Sequence, residues 1–312
     1  MVELTRRGLV RYEDLMMDNA RWDDFVLRSG DIIISTPAKA GTTWMQMICA
    51  LLIFQDPDLP KPLDELSPWL EMQTRSVDDA YAHLEAQHHR RFIKSHTPFD
   101  GLPYDEHVTY ICVGRDPRDT AVSLLNHRAN MDFDAFLAAR ATAVGTDDLE
   151  EKLGSDDDNR HAPATPTEKL LDYIETDDPE KASLADTLQH LKSFWAVRDR
   201  SNVILVHYTA LQENLEGEMR MLARRLAIDV PEQNWPALVE AATFDAMRSR
   251  ADALVPESGV SLWRDNKRFF NKGTTGQWRD LLDELGLSRY VTRVRALADE
   301  EFIDWLHHGA LT

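Results

Sequence analysis

Lys39-Ala40-Gly41-Thr42-Thr43 follows directly on the apolar run Ile32-Ile33-Ile34. Gly41 lets the backbone come close to an anion, and a helix starting at Thr42 would present unpaired amides there. Those donors, together with the helix dipole, favour phosphate. Lys39 adds a mobile positive charge, and the two threonines add hydroxyl donors. An ordinary helix cap followed by a surface lysine would spell the same letters. The residue order does exclude two familiar sites. The lysine precedes a single glycine, unlike a nucleoside-triphosphatase loop, and there is no G-x-G-x-x-G dinucleotide fingerprint.

Lys94-Ser95-His96-Thr97-Pro98 places an amine and an imidazole two positions apart. On an extended segment both point to one face, and a histidine can take up a proton near neutral pH and return it. Arg115-Asp116-Pro117-Arg118-Asp119 follows another apolar run, with Ser123 behind it. Arg115 offers a rigid fork for phosphate and Ser123 a hydroxyl; an Arg–Asp network closing a helix start is the plainer alternative. Asn271-Lys272-Gly273-Thr274-Thr275-Gly276-Gln277-Trp278 carries two glycines that can expose backbone donors, and a lysine for charge. A solvent turn would explain it equally well. His207-Tyr208 and Thr243-Phe244 sit at the ends of further apolar stretches. No spacing suggests a metal site.

The elements needed to bring these segments together are legible. Residues 31–36 read as a buried strand, 91–95 and 107–114 as two more, and 202–206 as a fourth. Helices are expected over 42–54, 118–127, 185–198 and 213–226, and one packed helix over 288–308 with Val291, Val294, Leu297, Phe302 and Trp305 inward. Buried strands alternating with helices imply an α/β fold with a mostly parallel central sheet flanked by helices. In such folds ligands sit beyond the carboxyl ends of the strands, and these segments begin at such ends or in loops that could reach them. Residues 1–312 read as a single domain. Residues 145–179, rich in aspartate and proline, read as an exposed insertion or a loop over the substrate side.

Acidic residues outnumber basic ones 54 to 35, a formal charge of -19, so a general nucleic-acid surface is excluded. An anionic ligand must be held by a few focused cations. Cys49 and Cys112 lie in apolar runs and are expected as buried free thiols rather than a disulfide. No signal-like segment opens the chain, and 42–54 is too short to span a bilayer. A cytoplasmic location is the expectation.

Ser35-Thr36-Pro37-Ala38-Lys39-Ala40-Gly41-Thr42-Thr43-Trp44 resembles the 5′-phosphosulfate loop of cytosolic-type sulfotransferases. That resemblance implies a P-loop-like sulfotransferase fold, with 3′-phosphoadenosine 5′-phosphosulfate (PAPS) as donor and adenosine 3′,5′-bisphosphate (PAP) as product, and no metal requirement. It implies that Lys39, Ala40, Gly41, Thr42 and Thr43 embrace the 5′ phosphate, with Trp44 beside adenine. Lys94 to Pro98 resembles the family's Lys-Thr-His-x-Pro loop, making His96 the general base and Lys94 a contact at the reacting centre. The Arg115 segment resembles the 3′-phosphate motif, with Ser123. Tyr208, Thr243 and Phe244 match nucleotide-side positions. Asn271, Lys272 and Gly273 match the Arg-Lys-Gly loop over the 3′ phosphate, with Asn271 replacing the usual arginine and Arg268 nearby. Ala38 and Ala40 replace the usual Pro and Ser.

Asn19-Ala20-Arg21-Trp22-Asp23, Ser67-Pro68-Trp69-Leu70 and Ala246-Met247-Arg248-Ser249-Arg250 resemble the mycobacterial glycolipid sulfotransferase-like branch. By that resemblance the acceptor is a glycolipid hydroxyl, with small phenols and alcohols also open, and a lipid acceptor implies a peripheral membrane encounter. Trp69, Phe99, Phe133 and Phe136 are candidates for an apolar acceptor entrance. The family's carboxy-terminal dimer signature is not evident after Trp278, which leaves the oligomeric state open. Two alternatives stand beside this reading: a nucleoside-phosphate kinase, which would need triphosphate and magnesium and which the order of Lys39 and Gly41 argues against, and a nonenzymatic nucleotide-binding or scaffolding protein.

Overall fold

Four apolar runs form one sheet: β1 (Ile32–Ser35), β2 (Phe92–Ser95), β3 (Thr109–Gly114) and β4 (Val203–His207). The computed structural model describes residues 8–153, 165–178, 181–255, 262–270 and 272–309. All three strand pairings are parallel, in the order β2-β1-β3-β4. Parallel neighbours need crossovers, and the crossovers cover both faces of the sheet. The side chains divide accordingly. Ile32, Ile34, Ile111 and Val113 pack on one face with helix α1 (Thr42–Phe54), whereas Ile33, Tyr110 and Cys112 enter a second core on the other.

Helix α2 (Pro117–Asn130) leaves β3 through Asp116, whose side chain accepts from the Arg118 amide, with Pro117 at the first helical position. Both choices favour a helix start. The second core is closed by α3 (Pro166–Glu175), α4 (Leu184–Trp195), α5 (Glu284–Leu297) and α6 (Glu300–His308).

Two expectations need correction. The stretch 145–179 is not exposed throughout: residues 145–153 include no buried residue, whereas α3 buries Leu170, Tyr173 and Ile174, at the i, i+3, i+4 spacing of an inward helical stripe. Residues 154–164 and 179 of that stretch lie outside the described residues. The tail is two helices rather than one. Ala298 turns extended after α5, and Asp299 starts α6 by accepting from the Phe302 amide. Val294, Phe302 and Trp305 are nonetheless buried, with Val291 and Leu297 at the edge of the core. Cys49 and Cys112 are buried and free.

Candidate active site

A cavity of about 320 Å³ opens at the carboxyl ends of the strands, on the α1 face. The β1–α1 loop forms its donor-like end. Lys39 sits in the left-handed region at φ 67° and Gly41 at φ 124°, where a side chain is strained. A Cβ at Gly41 would also lie 3.1 Å from the Tyr208 ring. The first intrahelical bond runs from the Met45 amide to the Gly41 carbonyl at 3.0 Å. The amides of Thr42, Thr43 and Trp44 therefore precede the helical ladder, as an anion site requires. Thr42 and Thr36 join hydroxyls beneath the loop. Ala40 does not line the cavity: it is buried, and its amide is engaged by the Pro37 carbonyl at 3.1 Å. Trp44 donates Nε1 to the Ala242 carbonyl at 2.8 Å and meets Tyr208 edge-on at 5.2 Å.

Lys94 and His96 both line the cavity, as their spacing predicts, while Ser95 turns the other way and donates to Glu71. His96 Nδ1 lies 2.6 Å from the Thr36 carbonyl. A carbonyl only accepts, so the proton resides on Nδ1 and Nε2 keeps a lone pair. Burial, reinforced by the positive charge of Lys94, holds the imidazole well below its ordinary value of 6.5. The ring is set edge-on to Trp69 at 4.7 Å, and the Lys94 ammonium lies 4.5 Å from the Trp69 ring centroid.

Arg115 enters from the end of β3. It donates to the carbonyls of Lys39 at 3.1 Å and Thr274 at 3.2 Å, and stacks over Tyr208 at 4.2 Å. Ser123 lines the same end. Asp119 accepts from the amides of Gly276 at 2.7 Å and Gln277 at 2.9 Å, fastening the glycine loop to α2. Gly273 lines the cavity with φ 64°, and a Cβ there would lie 2.5 Å from the Phe244 ring. Phe244 lines the cavity, but Thr243 does not: its hydroxyl accepts from the Ala246 amide at 3.2 Å and donates to the Glu240 carbonyl at 2.8 Å as a helix cap. Lys272 is exposed and also off the lining. Asn271 lies outside the described residues.

Of the aromatic candidates, Trp69 and Phe136 line the cavity; Phe99 packs against the opposite core and Phe133 is exposed. Sequence reasoning missed His127, Trp263 and Phe269, which complete the wall facing Lys39. It also missed Glu71, fully buried, where one oxygen accepts from Trp22 at 2.7 Å, Thr97 at 2.8 Å and Ser95 beneath the His96 segment. A polar residue inside Trp69-Leu70-Glu71-Met72 was the available signal for Glu71.

The cavity has an electrostatic deficit. Buried Arg91 and half-buried Arg118 are paired with Asp31 and Asp116. Lys39, Lys94 and Arg115 line the cavity together with Arg75 and Arg128, none of them in an ion pair among the described residues, and Arg115 Nε is buried without a hydrogen bond. Burial, with Lys94 and Arg115 adding like charge, lowers Lys39 to about 7. Burial likewise lowers Lys94 to about 8, against the opposing pull of Glu71 and Asp64. Such a site favours a multiply charged anion, and the free helix-start amides, Gly41 and Gly273 fit phosphate groups. Among the described residues no cluster of potential metal ligands occurs, and no helix is long and apolar enough to cross a membrane.

Residues 29–297 match the sulfotransferase domain family. A glycolipid sulfotransferase of Mycobacterium bovis is 41% identical over 313 residues, covering 96% of this chain and 94% of that protein. One from Mycobacterium tuberculosis is 40% identical over 311 residues with the same coverage. The crystal structure of mouse sulfotransferase SULT7A1 complexed with PAP aligns with TM-score 0.66 at 19% identity, covering 94% of this chain and 95% of that one.

Proposed function

The chain belongs to the sulfotransferase domain family, and from that premise we propose that it moves a sulfuryl group from PAPS to a hydroxyl of a glycolipid-type acceptor, with His96 as base. One observation carries the reading. Lys39, Lys94 and Arg115, without ion-pair partners among the described residues, share one cavity at the strand ends with the lone-pair nitrogen of a neutral histidine. The kinase and scaffolding alternatives lose their footing, because the family is one of sulfuryl-transferring enzymes.

PAPS supplies a sulfuryl group whose bond to the 5′ phosphate oxygen breaks as an acceptor oxygen bonds to sulfur. The residues divide the remaining work. Thr42, Thr43 and the helix-start amides hold the 5′ phosphate, with Lys39 beside it. Arg115, Ser123 and the Gly273 loop hold the 3′ phosphate. Trp44, Tyr208 and Phe244 surround the base. His96 Nε2 receives the acceptor proton while Thr36 fixes the ring, and Lys94 and Lys39 stabilise charge that grows on the transferring and departing oxygens. The acceptor half, walled by Trp69, Phe136, Trp263, Phe269 and methionines, suits a sugar ring carrying an apolar tail.

Incubation with sulfur-labelled PAPS and separate glycolipid, free-sugar and phenol acceptors tests this assignment. Labelled glycolipid is the expected product. Transfer to phenols alone would overturn the acceptor class, and absence of both transfer and PAP binding would overturn the donor.

A further inference from the structure

Lys39 is part of the donor loop, yet its side chain ends on α2. Its Nζ lies 3.3 Å from His127 Nδ1 and 4.2 Å from the Phe269 ring centroid. His127 in turn lies against Trp263, at 4.3 Å between centroids and 38° between planes, and edge-on to Phe269 at 5.3 Å. This wall is not adventitious packing. Segment 262–265 is stitched to the end of α2 by the Asp132 amide on the Leu262 carbonyl at 2.9 Å and the Arg264 amide on the Asn130 carbonyl at 2.9 Å. Asn130 Nδ2 on the Asp265 carbonyl adds a third bond, at 2.8 Å. Lys39, His127, Trp263 and Phe269 all border the cavity. An ammonium only donates, so the imidazole must accept at Nδ1 and carry its proton on Nε2.

We propose that His127 is a positioning residue for Lys39: through Nδ1 it holds the ammonium against the acceptor-side wall of Trp263 and Phe269, so that the donor-loop cation and the acceptor cavity share one hydrogen bond. The neighbours of Lys39 make that bond consequential. Lys94 and Arg115 both oppose its charge, His96 is neutral, and burial opposes it further. Burial and the charge of Lys39 hold His127 itself well below 6.5, which keeps it an acceptor. Its Nδ1 lone pair is then the group that favours a protonated, donor-ready lysine. The role this gives Lys39 rests on the donor assignment above; the bond does not.

The test is the pH dependence of Lys39 acylation in the full chain, read by mass spectrometry against surface lysines, for wild type, His127→Leu, His127→Phe and His127→Asn. Leu removes the acceptor while keeping bulk, Phe keeps a ring on Trp263, and Asn returns an acceptor oxygen near the Nδ1 position. The Leu and Phe variants should lower the Lys39 midpoint by about one pH unit, roughly a tenfold change in the proton equilibrium, while Asn stays near wild type. An unchanged midpoint in Leu and Phe, or an Asn variant that behaves like them, overturns the proposal. Calorimetry with PAP at pH 7.5 should show weaker binding in Leu and Phe and recovery in Asn. Failure of wild type to bind PAP would overturn the donor assignment, while the nucleotide-free acylation result would still decide the Lys39–His127 bond.

Discussion

His96 is held by the Thr36 carbonyl with its lone pair on Nε2, and its depressed proton affinity keeps it neutral well into the acidic range. H96A is therefore expected to lower kcat by ~10²–10⁴-fold with the Kd for PAP unchanged, and the acid limb of wild-type kcat/KM should fall below pH 6.5. A variant that binds PAP and still turns over at the wild-type rate would remove His96 from the reaction. Lys39 makes a prediction about stability. Below about pH 7 folded and unfolded chains both carry its proton, and the fold bears the full cost of a desolvated ammonium. Between about 7 and the ordinary lysine value of 10.5 the folded chain releases the proton first, so the cost is relieved as pH rises. K39M should thus raise the urea midpoint at pH 6, with a smaller gain at pH 9, while abolishing tight PAP binding. Lys39, Lys94, His96 and Arg115 were readable because each lies in a short segment whose letters state their chemistry. His127 was not: it reaches Lys39 across 88 residues of sequence, through a contact that only the tertiary fold creates.

At the scale of elements, the glycine loop depends on α2. Both oxygens of Asp119 are occupied by loop amides, and the side chain is 1% exposed. D119N keeps the shape but turns an NH₂ group toward a backbone N–H, leaving one buried donor unmet. The expected cost is about 2 kcal/mol, measured by urea unfolding, together with weaker PAP binding as the loop loses its anchor at Gly276 and Gln277. Unaltered stability and affinity would mean the loop is held from elsewhere. The same scale shows where composition misleads. Residues 145–179 look solvated from their aspartates and prolines, but within α3 Leu170, Tyr173 and Ile174 carry a helical period that outweighs them. In the tail, the continuous apolar spacing concealed a break that Asp299 marks as a helix cap.

The whole molecule was legible as a class because its strands are short and mostly apolar, the signature of a sheet covered on both faces. The order β2-β1-β3-β4 was not, since register and neighbour choice are settled by packing across the sheet. That packing places the two cysteines apart. Cys49 lies on α1 in one core and Cys112 on β3 in the other, with burial raising the first to about 12 and the second well above 9.0. Neither thiol can ionise or meet a reagent while its own layer stays closed. Each is a silent witness to one side of the sheet. A pulse of iodoacetamide during mild urea exposure should alkylate both at one rate, because they share the strands that divide them. If Cys49 is alkylated well before Cys112, the helices over one face peel away while the other half of the protein is still standing.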